Sequence, residues 1–201
     1  EQALASGAVW VAWSWVVGYW DGNEYFGPGV YTFYSLGEET YANNGRISYN
    51  DSSFVINVPE GYNTGDFANH PVVHITGAGM HAYSDYYGWR LPTANEWEKA
   101  ARGNTGWDYP FGDEIDGSRA NYWNSSDPFD NGTTPIGYYN GQNHEGFQTT
   151  DSPSPYGAYD MAGNVTELTS SGTFDWSIIK GGSWSTYDYL SQSWYSGALD
   201  T

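Results

Sequence analysis

Two carboxylates and an amide crowd around a glycine in the stretch Tyr156-Gly-Ala-Tyr-Asp160-Met-Ala-Gly163-Asn164-Val165-Thr-Glu167-Leu168. Asp160, Asn164 and Glu167 are hard oxygen donors, and donors of that kind held close together can bind a calcium ion. The plainer alternative is a polar surface turn. Spacing alone leaves both open, because a calcium loop is recognised by a complete pattern rather than by three donors.

Other chemistries find less support. The sequence has no phosphate-cradling Walker loop, no dinucleotide glycine fingerprint and no His-Glu-x-x-His zinc helix. His70 and His74 share a strand face only loosely and His81 falls on a helix, so these three and His144 read as structural or solvated. No serine sits in a Gly-x-Ser-x-Gly elbow. Glu96 and Glu98 flank Trp97 and point to different helix faces, so they do not form a catalytic pair. Five aromatic residues follow the Gly181-Gly182 turn: Trp184, Tyr187, Tyr189, Trp194 and Tyr195. They suit either a core strand or a ligand-binding surface, since Tyr and Trp give large contact area at low entropic cost.

The chain that must position these groups has 201 residues, 39 % of them hydrophobic and 19 % aromatic, with 11 Trp and 19 Tyr. So many aromatics argue against disorder. Abundant Gly, Asn, Ser and Thr favour a loop-rich, β-containing fold. A net charge of −18 with only 6 Lys+Arg repels phosphate backbones, so no nucleic-acid partner is expected. The same charge attracts cations, although it serves solubility without any metal. With no cysteine there are no disulfides, thiolate metal sites or cysteine nucleophiles.

The run Ala8–Trp20 is apolar on both alternating faces. It is too short to span a bilayer and lacks the basic flank of a signal peptide. It reads as a strand buried on both sides, in a core or in a homo-oligomer interface formed through residues 8–20. Further strands are expected at Val30–Tyr34, Arg46–Tyr49, Phe54–Val58 and Pro71–Ile75, the first three bounded by turn residues. Thr76 can cap a helix over 77–87, with Ala78, Ala82, Tyr83 and Tyr86 on one side and Gly88 as its stop. Thr93-Ala-Asn-Glu96 is a capping box opening a second helix, with Trp97, Ala100 and Ala101 as its apolar stripe and Gly103 as its end. Residues 104–157 show little periodicity, and a loop region of that length needs something to order it. Residues 174–184 read as a strand entering the Gly-Gly turn. No linker divides the chain, so a single domain over 1–201 is expected.

Several motifs occur in a fixed order: Asn69-His-Pro-Val-Val73, Gly88-Trp-Arg-Leu-Pro-Thr-Ala-Asn-Glu-Trp-Glu-Lys-Ala-Ala-Arg-Gly103, Ala120-Asn-Tyr122, Tyr156 to Leu168, and Ile179-Lys-Gly-Gly-Ser-Trp184. Together they resemble formylglycine-generating enzyme (sulfatase-modifying factor) domains. The resemblance covers roughly 69–195, leaving 1–68 as a divergent β-rich part, and it implies an α+β, C-type-lectin-like fold. It also implies two calcium sites. One would use the side chains of Asp160 and Glu167 with the carbonyls of Gly163 and Val165, leaving Asn164 as a turn residue. The other would use Asn121, the carbonyl of Tyr122, Asp127 and the carbonyl of Phe129; here the loop after Asn121 differs in length from the family's.

Departures from the family bear on activity. Its copper-binding cysteine pair falls on Thr186 and Ser191, and neither hydroxyl is a soft ligand for Cu(I). No copper is expected, and oxidation by the family's cysteine chemistry is not available. The usual Trp-Glu-Trp becomes Thr166-Glu167-Leu168. The resulting expectation is a non-catalytic, secreted or cell-surface protein that uses a calcium-stabilised scaffold for ligand binding. Alternatives are a subunit of an extracellular filament or coat, the variable protein of a diversity-generating retroelement, and an oxidoreductase of the formylglycine-generating type, which the missing cysteines disfavour.

Overall fold

The N-terminal strands form a sheet because branched and aromatic residues alternate along them. In the computed structural model, which describes residues 9–12, 15–35, 47–49, 53–58, 67–129, 132–173 and 176–200, strands β1 (Val9–Ala12), β2 (Trp15–Trp20) and β3 (Gly29–Ser35) are antiparallel in the order β1-β2-β3. The run expected as one strand is therefore a pair, β1 and β2. Nor is it buried on both sides: Trp10, Trp15, Tyr19 and Val30 are 43 %, 45 %, 57 % and 59 % exposed. Period-two alternation puts these residues on one face, where Trp10 pairs with Val17 and Tyr19 with Val30. On the opposite face Trp20 packs on Phe26 and Tyr31.

Residue contacts divide the chain into two compact units, one of Glu1–Leu91, Thr173–Ser177 and Asp200–Thr201, the other of Pro92–Gly172 and Ile178–Leu199. The first holds the β1-β2-β3 sheet, the hairpin of β4 (Ile47–Tyr49) and β5 (Phe54–Ile56), and helix α1 (Gly77–Tyr86). These strands lie where the apolar runs predict them, while the expected turns at 43–45 and 59–61 fall outside the described residues. A bulge between Val16 and Val17 shifts the β2-β3 register. Beside it the Phe33 carbonyl accepts from Thr76 N at 3.2 Å. Thr76 caps α1 as predicted, its hydroxyl accepting from Gly79 N at 3.0 Å.

Two expectations fail in this unit. Pro71–Ile75 is not a strand; only Ile75 makes an isolated bridge, to Tyr34. On α1, Tyr83 and Tyr86 are exposed, and the buried residues are Gly77, Ala78, Gly79, His81 and Ser84. The physical reason is close approach: a side chain at Gly79 would collide with the Phe33 carbonyl oxygen. The helix turns its small residues to the sheet and its tyrosines outward.

The second unit contains α2 (Ala94–Arg102), the short hairpin β6 (Asn143–His144) and β7 (Phe147–Gln148), a 3-10 turn at Asp188–Ser191, and most of a sheet ordered β10-β9-β8 from β8 (Glu167–Thr173), β9 (Trp176–Lys180) and β10 (Gly197–Asp200). The capping box of α2 is complete: Thr93 Oγ1 accepts from Glu96 N at 3.2 Å, and Glu96 Oε2 accepts from Thr93 N at 2.8 Å. Trp97 and Ala101 point into a core shared with Tyr109, Ala120, Tyr138, Tyr139, Ala162 and Leu168. The fold is α+β and loop-rich, with two α-helices among the described residues and small sheets. No helix of the described residues is long and apolar enough to cross a membrane.

His81 sits between Tyr25 and Phe26, with ring centroids at 4.8 and 5.3 Å, and its Nδ1 lies 3.3 Å from Asn23 Nδ2. Burial lowers its pKa from 6.5, against weaker opposing pulls from Asp85 and Glu24. The folded state resists a proton that the unfolded chain accepts. His81 therefore costs no stability at pH well above 6.5 and lowers stability as pH falls through that value. Melting profiles against pH should show a shallower acid-side slope for His81→Asn than for the parent; identical slopes would exclude this role.

Candidate metal centre

Glu167 opens β8 and is fixed by a distant partner: Trp97 Nε1 donates to its Oε2 at 2.7 Å. Asp160 stands in the turn before β8 with φ of 59°, and its Oδ2 accepts from Gly137 N at 2.6 Å. Burial raises the pKa of both acids, and the Asp160 charge raises that of Glu167 further. The hydrogen bond from Gly137 opposes this rise at Asp160, and the one from Trp97 opposes it at Glu167. Among the described residues neither pairs with a Lys, Arg or His.

Each carboxylate has one oxygen engaged by an N–H, while Asp160 Oδ1 and Glu167 Oε1 receive no donor among the described residues. The carbonyls of Gly163 and Val165 likewise receive none. Two carboxylate oxygens and two carbonyl oxygens without donors are the ligand chemistry of a hard cation such as calcium. These residues fit the ion that the family resemblance implies.

The second loop is brought together differently. Asn121 is 2 % and Asp127 3 % exposed. Asp127 is braced inside its own turn, accepting from Ser125 Oγ at 2.6 Å and from Phe129 N at 2.8 Å. The Tyr122 carbonyl accepts from Ser125 N at 3.0 Å, and the Phe129 carbonyl accepts from Gly132 N at 2.8 Å. Asn121 Nδ2 donates to Gly132 O at 2.9 Å, leaving Oδ1 as a donor atom for a metal. The four expected residues share one loop, in which both Asp127 oxygens are held by that loop's own donors.

The glycine turn feeding the aromatic stretch has φ of 87° at Gly181 and 68° at Gly182. Thr186 is locked in it: its hydroxyl accepts from Ser183 N at 2.8 Å and lies 3.0 Å from the Ser183 carbonyl, to which it donates. Ser191 is fully buried, and its hydroxyl has no hydrogen-bond partner among the described residues. Neither hydroxyl is hydrogen-bonded to a base that could activate it. Of the five aromatics, Tyr187, Tyr189 and Trp194 are exposed, whereas Trp184 and Tyr195 are half-buried. The surface also includes Trp123, which the sequence reading missed: its ring meets that of Tyr187 edge-on at 5.0 Å, and Tyr187 stacks on Tyr189 at 5.9 Å. Trp194 Nε1 is held by Asp108 Oδ1 at 2.9 Å.

A family model described as the sulfatase-modifying factor enzyme 1-like domain matches residues 38–198. The chain belongs to this family. The match begins ahead of the motif-bearing stretch at 69–195 and takes in part of the divergent N-terminal segment. Among relatives, the chain is 43 % identical to the serine/threonine-protein kinase pkn1 of Chlamydia caviae over 102 residues, which is 50 % of this chain and 14 % of that protein. It is 35 % identical to the inactive C-alpha-formylglycine-generating enzyme 2 of Bos taurus over 126 residues, 57 % of this chain and 38 % of that one. The chain thus spans less than half the length of either relative. The solved structure of PvdO from Pseudomonas aeruginosa shares the fold at a TM-score of 0.54 and 20 % identity, over 76 % of this chain and 64 % of that one.

Lys180 completes the family-like core. It is 2 % exposed, with Nζ 3.6 Å from Glu98 Oε2 and 5.5 Å above the Trp97 ring. Trp97 therefore meets the Glu167 carboxylate at its edge and the Lys180 ammonium at its face. Trp97→Phe removes the N–H together with the five-membered ring that carries it, at a buried position. Denaturant unfolding should show a loss of at least about 1.5–3 kcal/mol, the range for a hydrogen bond to a charged group, with the cost of the cavity added to it. A change below about 0.5 kcal/mol would mean that this bond does not hold Glu167 in place.

Proposed function

We propose that this chain is a non-catalytic member of its family, a calcium-clamped scaffold that presents the aromatic surface around Tyr187 to a ligand outside the cell. The observation that carries this reading is the turn where the family's cysteine pair would stand: Thr186 is tied to Ser183, and Ser191 is buried with no base. Similarity to a relative named as inactive supports it. The donor-free oxygens of Asp160, Gly163, Val165 and Glu167 support the calcium clamp, and Asn121, Tyr122, Asp127 and Phe129 offer a second site. A location on the cell surface or in the extracellular medium suits such sites, because extracellular calcium modules work at dissociation constants of about 10⁻⁴–10⁻³ M. A charge of −18 suits a protein that meets cations there.

A second reading is favoured by the exposed face of Trp10, Trp15, Tyr19 and Val30. Self-association through residues 8–20 would cover these side chains and would suit a subunit of a filament or coat. Trp15→Glu with Tyr19→Glu should then lower the sedimentation coefficient at micromolar protein. Equal, monomeric sedimentation of parent and variant would remove this reading.

Calcium should raise the melting temperature relative to chelator. An ion present at 100-fold over its dissociation constant adds about 2.7 kcal/mol. Asp160→Asn with Glu167→Gln should abolish the contribution of the first site. With copper, oxygen and a cysteine-containing peptide, no aldehyde should form. Absence of any calcium shift, or copper-dependent aldehyde production, would overturn the proposal.

A further inference from the structure

Asn164 looks like an ordinary turn residue in the sequence, yet it is 2 % exposed and adopts φ of 63°. Four hydrogen bonds converge on it. Its N–H donates to the Asn121 carbonyl at 2.7 Å, and its own carbonyl accepts from Trp184 N at 3.0 Å. Its side-chain amide grips both backbone groups of Thr134, with Oδ1 accepting from Thr134 N at 3.0 Å and Nδ2 donating to Thr134 O at 3.2 Å.

The placement of these bonds is what matters. Asn164 lies between Gly163 and Val165, whose carbonyls are offered by the first loop. Asn121, which it holds, is the first donor residue of the second loop. The approach is tight enough that a side chain at Gly163 would collide with the Asn121 carbonyl oxygen. Thr134 belongs to a strap that touches both loops: Gly132 O accepts from Asn121 Nδ2 at 2.9 Å, Gly137 N donates to Asp160 Oδ2 at 2.6 Å, and the Tyr138 ring meets the Phe129 ring at 5.3 Å.

We propose that Asn164 is a positioning residue that couples the two candidate calcium loops, so that an ion in one loop raises the affinity of the other. The inference rests on the calcium reading above and extends it to how the two sites are regulated. An ion that orders the first loop fixes Asn164, and through it Asn121 and the strap. The second ion then meets donors already in place and loses less conformational freedom on binding. Linkage makes the effect reciprocal, and couplings of this kind typically change affinity about 5- to 150-fold.

Calcium titration of the full chain by isothermal calorimetry tests this. Two ions should bind with a Hill coefficient above 1. Asp127→Asn, isosteric with the parent, should remove the second ion and weaken the first by at least about fivefold. Asn164→Gly tolerates the positive φ and keeps every proposed ligand while deleting the grip on Thr134. It should still bind two ions, with a Hill coefficient below the parent's, and in its background Asp127→Asn should weaken the first affinity less than it does in the parent. Two ions bound independently by the parent, or a first affinity indifferent to Asp127→Asn, would overturn the coupling while leaving the calcium reading intact. A single ion bound by the parent would overturn the coupling alone, and no bound ion would overturn both.

Discussion

Two half-buried carboxylates set the terms for the second unit. Charge is disfavoured at Asp160 and Glu167 by burial, and at Glu167 by its neighbour as well. Such a pair persists only with compensation. The fold supplies one N–H to each, from Gly137 and from the Trp97 indole, and leaves the remaining oxygens without donors. A divalent cation is the compensation that this arrangement suits.

Much of the surrounding structure is organised about that constraint. Helix α2 is started by its capping box and ended at Gly103 so that Trp97 reaches Glu167. Lys180 covers the same indole from β9 and leads into the Gly181-Gly182 turn, whose first carbonyl accepts from Gly163 N at 2.6 Å. Loop segments that carry no periodic signal are thereby tied to one another through polar groups rather than through a large apolar core. Outside that network Trp123, Tyr187 and Tyr189 are exposed, and their rings meet in sequence.

What the sequence revealed was mostly local. The capping box of Thr93 and Glu96, the Thr76 cap and the strands around Val30 and Phe54 depend on neighbours a few residues apart, and they form as expected. The set Asp160, Gly163, Val165 and Glu167 was legible through the family resemblance. The Trp97–Glu167 bond joins residues 70 apart, so the Trp was visible only as part of an apolar stripe. Strand β8, Glu-Leu-Thr-Ser-Ser-Gly-Thr, carries no alternation of apolar and polar residues and was missed. On α1 only Ala78 of the side formed by Ala78, Ala82, Tyr83 and Tyr86 is buried, because a glycine packing against a carbonyl leaves no hydrophobic signature. Asn164 was undervalued for a similar reason, since its partners at 121, 134 and 184 are assembled only by the fold.

The proposed calcium ion in the first loop is tested most directly by anomalous diffraction at long wavelength from crystals grown in millimolar calcium. An anomalous peak should appear, bounded by the carboxylates of Asp160 and Glu167 and the carbonyls of Gly163 and Val165. A map with no peak there, or with a lysine or arginine side chain neutralising the two acids instead, would contradict it.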